Sequence, residues 1–165
     1  MEKNNADREK PIMPHFFLMN ESEMREADAL QLRARLHIRS FWTLMQHGKF
    51  AHGISILYDA FENAVHRFSL IHTPDISAGL RTRSTQAYKY LAQNGFVAND
   101  FDVDSFNNLV ERALKDNFDA MNPDFDFKRL WADIENVFRE LEILPFDFNS
   151  LPEENEPTRK VLGLQ

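Results

Sequence analysis

Cysteine is absent from this chain of 165 residues, and glycine (five) and proline (seven) are scarce. Without cysteine the chain forms no disulfide, no zinc–thiolate site and no cysteine nucleophile. Few glycines and prolines favour long helices over many tight turns. No apolar run approaches the roughly 18 residues of a membrane span, and the charged stretch Met1 to Lys10 is unlike a secretory signal. These features predict a cytoplasmic protein without a membrane segment.

Negative charge is concentrated in the second half of the chain. The net charge is −7; residues 1–80 carry 9 basic and 10 acidic side chains, whereas residues 81–165 carry 10 and 16. This excess argues against a broad nucleic-acid-binding face in the second half. Arg33, Arg35 and Arg39 fall in one predicted helix and are candidate binding residues for a partner or a nucleic acid. The alternative interpretation is an ordinary solvated helix face.

Apolar residues recur at helical spacing in five stretches, which predict an all-α antiparallel bundle of about five helices. The first helix is predicted to begin near Asn20 and to end at Gln46, because Gly48 can adopt the left-handed conformation that ends a helix. No alternation of period two indicates a strand. The other helices are predicted at about Ala51 to Leu70, Arg83 to Asn94, Asp104 towards Phe118, and Asp124 to Leu144.

The bundle domain is predicted to span residues 20–148. Residues 1–19 are predicted to form a flexible N-terminal tail, because Met1 to about Pro14 is polar, charged and broken by prolines. The short apolar patch from His15 to Met19 is expected to dock on the domain. Residues 149–165 are acidic and punctuated by prolines, which predicts a flexible C-terminal tail. The mildly apolar end of that tail, Val161 to Leu164, could dock on a partner.

The first predicted hairpin has a recognisable residue pattern. An alanine–arginine step opens one helix, a glycine follows a short polar step, and the next helix carries a Tyr-Asp element followed by alanines. The residues are Ala34-Arg35-Leu36, Gln46-His47-Gly48-Lys49-Phe50-Ala51, Leu57-Tyr58-Asp59-Ala60-Phe61 and Ala64-Val65-His66-Arg67. Over about 35 residues this pattern resembles the opening hairpin of the HEPN family, small helical domains of prokaryotes and higher eukaryotes.

The resemblance implies a module that forms a homodimer or binds a protein partner such as a nucleotidyltransferase, as in toxin–antitoxin pairs. Many members resemble RNases that use an Arg-x(4–6)-His motif from both chains of a dimer, placed after the third helix. This chain has no histidine from Ile76 onward, so the usual position is empty. The sequence therefore favours a non-enzymatic dimerising or partner-binding module, with an RNase or RNA-binding protein as the alternative.

An Arg-x4-His match lies elsewhere, at Arg67 and His72, where the second predicted helix ends. For the RNase alternative these are the candidate catalytic residues, because arginine can stabilise phosphorane charge and histidine can move the 2′-hydroxyl proton. The other interpretation is that Arg67 complements the helix dipole. Asp59 and His66 on the same helix are candidate binding residues; a structural role for Asp59 and a solvated face are the alternatives.

A third function class, a calcium- or metal-responsive protein, is suggested by the acidic stretch after the third helix. Asp100, Asp102, Asp104 and Glu111 fall at positions 1, 3, 5 and 12 of an EF-hand loop. Position 6 is Ser105 rather than the glycine that permits the sharp turn. Helix capping by these acids is the main interpretation, and neither a metal nor a cofactor is expected.

Overall fold

The computed structural model describes Leu18 and residues 20–115 and 117–164. These residues form helices and no strand, which confirms the predicted all-α bundle. None of their helices is both long enough and apolar enough to cross a bilayer. The helices of this part of the chain are α1 (Glu26–Gln46), α2 (Phe50–His72), α3 (Ala78–Arg81), α4 (Ser84–Gln93), α5 (Val103–Ala113), α6 (Phe118–Met121), α7 (Phe127–Glu140) and α8 (Glu156–Val161), with 3-10 turns at Glu21–Glu23 and Phe148–Ser150.

The hairpin of α1 and α2 forms the centre of the bundle. Ala34 on α1 and Ala60 and Ala64 on α2 are fully buried, and their small side chains let the two backbones approach closely. Larger apolar residues of both helices fill the remaining space within one continuous core. The hairpin turns at Gly48, as the sequence predicts.

The remaining long helices, α4, α5 and α7, close the core around α2 through aromatic contacts. Phe61 on α2 lies 5.5 Å from Tyr88 on α4 and 5.8 Å from Phe106 on α5, measured between ring centroids. On the other side of the bundle, Trp42 on α1 lies 5.4 Å from Trp131 on α7. Edge and tilted ring contacts at these distances are favourable beyond the apolar area they bury.

Four of the described helices end in the same backbone motif, in which one residue adopts the left-handed conformation. After α1, α4 and α8 that residue is a glycine, and after α7 it is Glu142, with φ +63°. A side chain costs roughly 1 kcal/mol in this conformation, so Glu142 is the unfavourable choice among the four. In each case the following N–H donates to a carbonyl at 2.9 Å: Lys49 to Leu44, Phe96 to Leu91, Ile143 to Phe138 and Leu164 to Arg159.

The C-terminal segment differs from the predicted flexible tail. From Phe148 onward the chain forms a 3-10 turn and α8, and Asn155 Oδ1 accepts the Thr158 N–H at 3.0 Å to cap that helix. Leu162 and Leu164 are buried in one cluster with Leu44 of α1 and Ile56 of α2. The expectation of a tail from 149 onward is therefore wrong as far as residue 164, because two leucines anchor an otherwise polar stretch. The predicted N-terminal tail lies outside the described residues except Leu18.

Helix boundaries also differ from those predicted. The first helix begins at Glu26 rather than near Asn20, because the residues before it form a separate 3-10 turn. The predicted last helix ends at Glu140, before Leu144, and the predicted fourth helix ends at Ala113. The short helices α3, α6 and α8 carry too few apolar positions to show a helical period.

Candidate functional site

Arg67 and His72, the candidate catalytic residues, meet at a single carboxylate. His72 Nε2 lies 2.5 Å from Glu142 Oε1, and Arg67 Nη1 lies 3.7 Å from Glu142 Oε2. The two candidates come from the last turns of α2, whereas Glu142 is the second residue after the end of α7. We call Arg35, Arg67, His72 and Glu142 the Arg67 site.

Arg35 on α1 completes the site with a second positive charge. Its pKa is lowered by burial and by the nearby Arg67 guanidinium. Its position is fixed, because Nε donates to the Ile143 carbonyl at 3.0 Å and the guanidinium carbon lies 5.3 Å from the centre of the Phe146 ring. Arg35 and Arg67 therefore lie close to each other, while the Glu142 carboxylate pairs with Arg67, which leaves the site with excess positive charge.

The Arg67 guanidinium has unused hydrogen-bonding capacity. Its side chain is only 12% exposed, and Nε and Nη1 are buried without a hydrogen-bond partner among the described residues. The 3.7 Å approach of Glu142 is an ion pair but exceeds hydrogen-bonding distance. Buried N–H groups without acceptors are costly, so an oxyanion that reached them would be strongly favoured.

His72 lies at the edge of the site beside an open cavity. Its ring centroid lies 4.2 Å from that of Phe68, which supports one face of the imidazole. The cavity measures about 460 Å³ and is lined by His72, Leu80, Tyr90 and Phe96, among others. A group bound at the Arg67 site would therefore have room beside His72.

The other predicted arginines are engaged in structural contacts. Arg33 holds both carboxylate oxygens of Glu21, with Nε 2.6 Å from Oε1. Arg39 donates to the Pro152 carbonyl at 2.5 Å and lies 3.8 Å from Glu154, so it holds the C-terminal segment. The structure thus separates the three predicted binding arginines, and only Arg35 belongs to the Arg67 site.

Asp59 and His66 lie on α2 outside the Arg67 site. Burial raises the pKa of Asp59, and burial together with Asp59 raises the pKa of the neighbouring Glu62. His66 Nε2 lies 3.6 Å from Glu26 Oε1. Burial lowers the pKa of His66 despite that carboxylate, so the ring favours its neutral form. These side chains form a half-buried polar stripe.

The acidic stretch does not form an EF-hand loop. α5 begins at Val103, within the proposed loop, and Asp102 caps it by accepting the Ser105 N–H at 3.0 Å. Asp104 pairs with Lys89 at 2.8 Å. Across residues 20–115 and 117–164, no three acidic or histidine side chains are grouped to hold a metal ion. The capping interpretation is confirmed for Asp102 alone, since Asp100 precedes the cap and Glu111 lies in the last turn of α5.

Glu142 is the residue of the site that sequence reasoning missed. The apolar period of α7 continues through Leu141 and Leu144, so the sequence pattern predicts that Glu142 is another exposed residue of that helix. Its left-handed backbone has no local signal, because glycine or asparagine usually marks that conformation.

Comparison of the chain with protein-family models, with curated proteins and with solved structures finds no match in any of the three.

Proposed function

We propose that the chain is a HEPN-like helical module that binds a partner at the Arg67 site, where Arg35 and Arg67 receive a carboxylate or phosphate group of that partner. The observation that most supports this proposal is the Arg67 guanidinium, whose Nε and Nη1 are buried without hydrogen-bond partners. Glu142 is 46% exposed and approaches only one edge of that guanidinium. A partner's anion can therefore displace the Glu142 carboxylate towards solvent.

The proposed partner is a second copy of this chain or a nucleotidyltransferase, as the resemblance of the opening hairpin implies. Acidic groups suitable for the site are abundant on this chain, whose net charge is −7. An arginine that pairs with a carboxylate across an interface contributes through two parallel hydrogen bonds. Under this proposal the site recognises its partner and has no catalytic function.

RNA cleavage is the second candidate function, and the contact between His72 and Glu142 favours it. A carboxylate that accepts the Nε2 proton leaves Nδ1 as the acceptor of a neutral imidazole. Nδ1 would take the proton of an RNA 2′-hydroxyl, and Arg67 and Arg35 would neutralise the charge that develops on the phosphorane. His72, Arg67 and Arg35 would thus act together within the Arg67 site.

The partner-binding proposal is tested with inorganic phosphate as the probe. NMR spectra of the arginine side-chain Nε–H groups are recorded during a phosphate titration of wild type, Arg67→Met and Arg25→Met. We expect saturable shifts at Arg35 and Arg67 in wild type and in Arg25→Met, whose 85% exposed side chain serves as the control. The proposal would be contradicted if phosphate caused no Nε–H shift in wild type. It would also be contradicted if phosphate shifted arginine signals outside the Arg67 site equally in wild type and in Arg67→Met.

Two further measurements separate the candidate functions. Native mass spectrometry of wild type and Arg67→Met tests self-association; a dimer of twice 19.4 kDa that dissociates in the variant supports the second-copy partner. A fluorescent RNA incubated with wild type and His72→Gln tests cleavage. Cleavage that is lost in His72→Gln, while the helical circular dichroism is kept, would show that the site is catalytic.

A further inference from the structure

An open cleft of about 410 Å³ lies between the start of α5, α7 and the loop before α5. Its floor is apolar and its rim is acidic, and we call it the acidic cleft. It shares no residue with the Arg67 site. The floor includes Phe101, Phe106 and Leu130, and the rim includes Asp100, Asp102 and Asp133.

We propose that the acidic cleft binds an arginine or lysine side chain within a basic amphipathic segment of a partner protein. Three carboxylates stand on the rim against a single guanidinium, that of Arg112. The half of the chain that contains the cleft carries 16 acidic and 10 basic side chains, so the surrounding field also attracts cations. This inference is independent of the proposed function of the Arg67 site.

The combination of an apolar floor and acidic rim fits an organic cation better than a metal ion. No three carboxylate or imidazole groups of the described residues are arranged to hold a metal. An arginine or lysine side chain presents a hydrocarbon stem to an apolar surface and keeps its charge near the rim. A guanidinium can also stack on an aromatic face such as that of Phe101.

A smaller cavity with a buried tyrosine hydroxyl in its wall adjoins the cleft. Phe101 and Asp102 line both the acidic cleft and a smaller cavity of about 150 Å³, whose wall includes Tyr88. Tyr88 is 2% exposed, and its hydroxyl has no hydrogen-bond partner in the described part of the chain. Glu140 and Asp100 lie close enough to raise its pKa further, after burial. The negative charges of Glu140 and Asp100 add to the field that attracts a cation to the neighbouring cleft.

The experiment follows backbone amide NMR signals of the full chain while a short acetylated and amidated peptide of alternating arginine and leucine is added. The same peptide with citrulline in place of arginine removes the charge and keeps the shape, and calcium chloride alone tests a metal. The variant Asp100→Asn/Asp133→Asn removes two rim charges. The matched control, Asp124→Asn/Glu153→Gln, removes two exposed charges that do not line the cleft.

We expect saturable shifts at Phe101, Leu109 and Leu130 with the arginine peptide and none with the citrulline peptide. Affinity should fall about fivefold to tenfold in Asp100→Asn/Asp133→Asn, as the loss of two rim ion pairs predicts, and stay unchanged in the matched control. Equal weakening in both variants, shifts on another face, or no binding would overturn the proposal. Saturable calcium shifts at Asp100 and Asp102 would overturn it in favour of a metal.

Discussion

The side chains of His72 and Glu142 lie 2.5 Å apart, although 70 residues separate them in the chain. They meet because the C-terminal ends of α2 and α7 lie side by side, and the left-handed turn after α7 presents Glu142 to α2. The contact fixes the His72 ring and places the carboxylate near Arg67. Glu142, whose backbone conformation is unfavourable, thus contacts both Arg67 and His72.

Substitutions at Glu142 measure the cost of that conformation. Glu142→Gly and Glu142→Ala both remove the carboxylate, but only alanine keeps a Cβ at φ +63°. We expect Glu142→Gly to be more stable than Glu142→Ala by about 1 kcal/mol, measured as the free energy of unfolding in urea. Gly48→Ala, at the matching position after α1, should lose about the same amount relative to wild type. Equal stability of the two Glu142 variants would show that the turn is not left-handed in solution.

Asp59→Asn should raise the free energy of unfolding at neutral pH. Burial raises the pKa of Asp59 above its ordinary 3.8, so keeping the carboxylate ionised destabilises the fold. The gain should be complete above the raised pKa and vanish below 3.8, where the carboxyl is protonated in both states. Urea denaturation across this pH range checks the prediction. Asp124→Asn, at an exposed position, controls for the change in net charge.

His52 and His66 should make stability fall as the pH is lowered. Burial lowers the pKa of both rings from 6.5. As the pH falls through 6.5, the two rings become protonated in the unfolded chain but stay neutral in the folded chain. The free energy of unfolding therefore decreases until the rings of the folded chain are protonated too. Asp59 acts in the opposite direction, so the comparison is made between wild type and His52→Gln/His66→Gln. The variant should lose less stability between about pH 7 and pH 5.5; an equal loss would contradict the prediction.

Leu162 tests whether the C-terminal segment is part of the fold. The side chain is fully buried against Leu44 and Ile56, so Leu162→Ala should lower the free energy of unfolding by about 2–4 kcal/mol. The adjacent Val161 is 50% exposed, and Val161→Ala should change it by less than about 0.5 kcal/mol. Chemical denaturation of both variants gives the comparison. A loss at Leu162 as small as that at Val161 would mean that the segment is detached in solution.

The elements that the sequence predicts are those whose signal is local. The apolar period of α2 and the glycine at 48 are recognisable within one or two helical turns, and the structure has the helix and the helix end that they predict. The docking of Leu162 could not be predicted, since two leucines in an acidic stretch have no period. The Arg67–His72 spacing is visible in the sequence, whereas their shared contact with Glu142 depends on how α7 packs.

Both tryptophans of the chain lie at one place, with Trp42 on α1 and Trp131 on α7. Intrinsic fluorescence therefore reports on a single helix–helix contact, while circular dichroism averages over every helix. If the two signals change together during denaturation, α7 leaves the bundle only when the whole domain unfolds. If fluorescence changes first, the α7 contact opens as a separate unit, and Glu142 moves away from His72 before the central hairpin is lost.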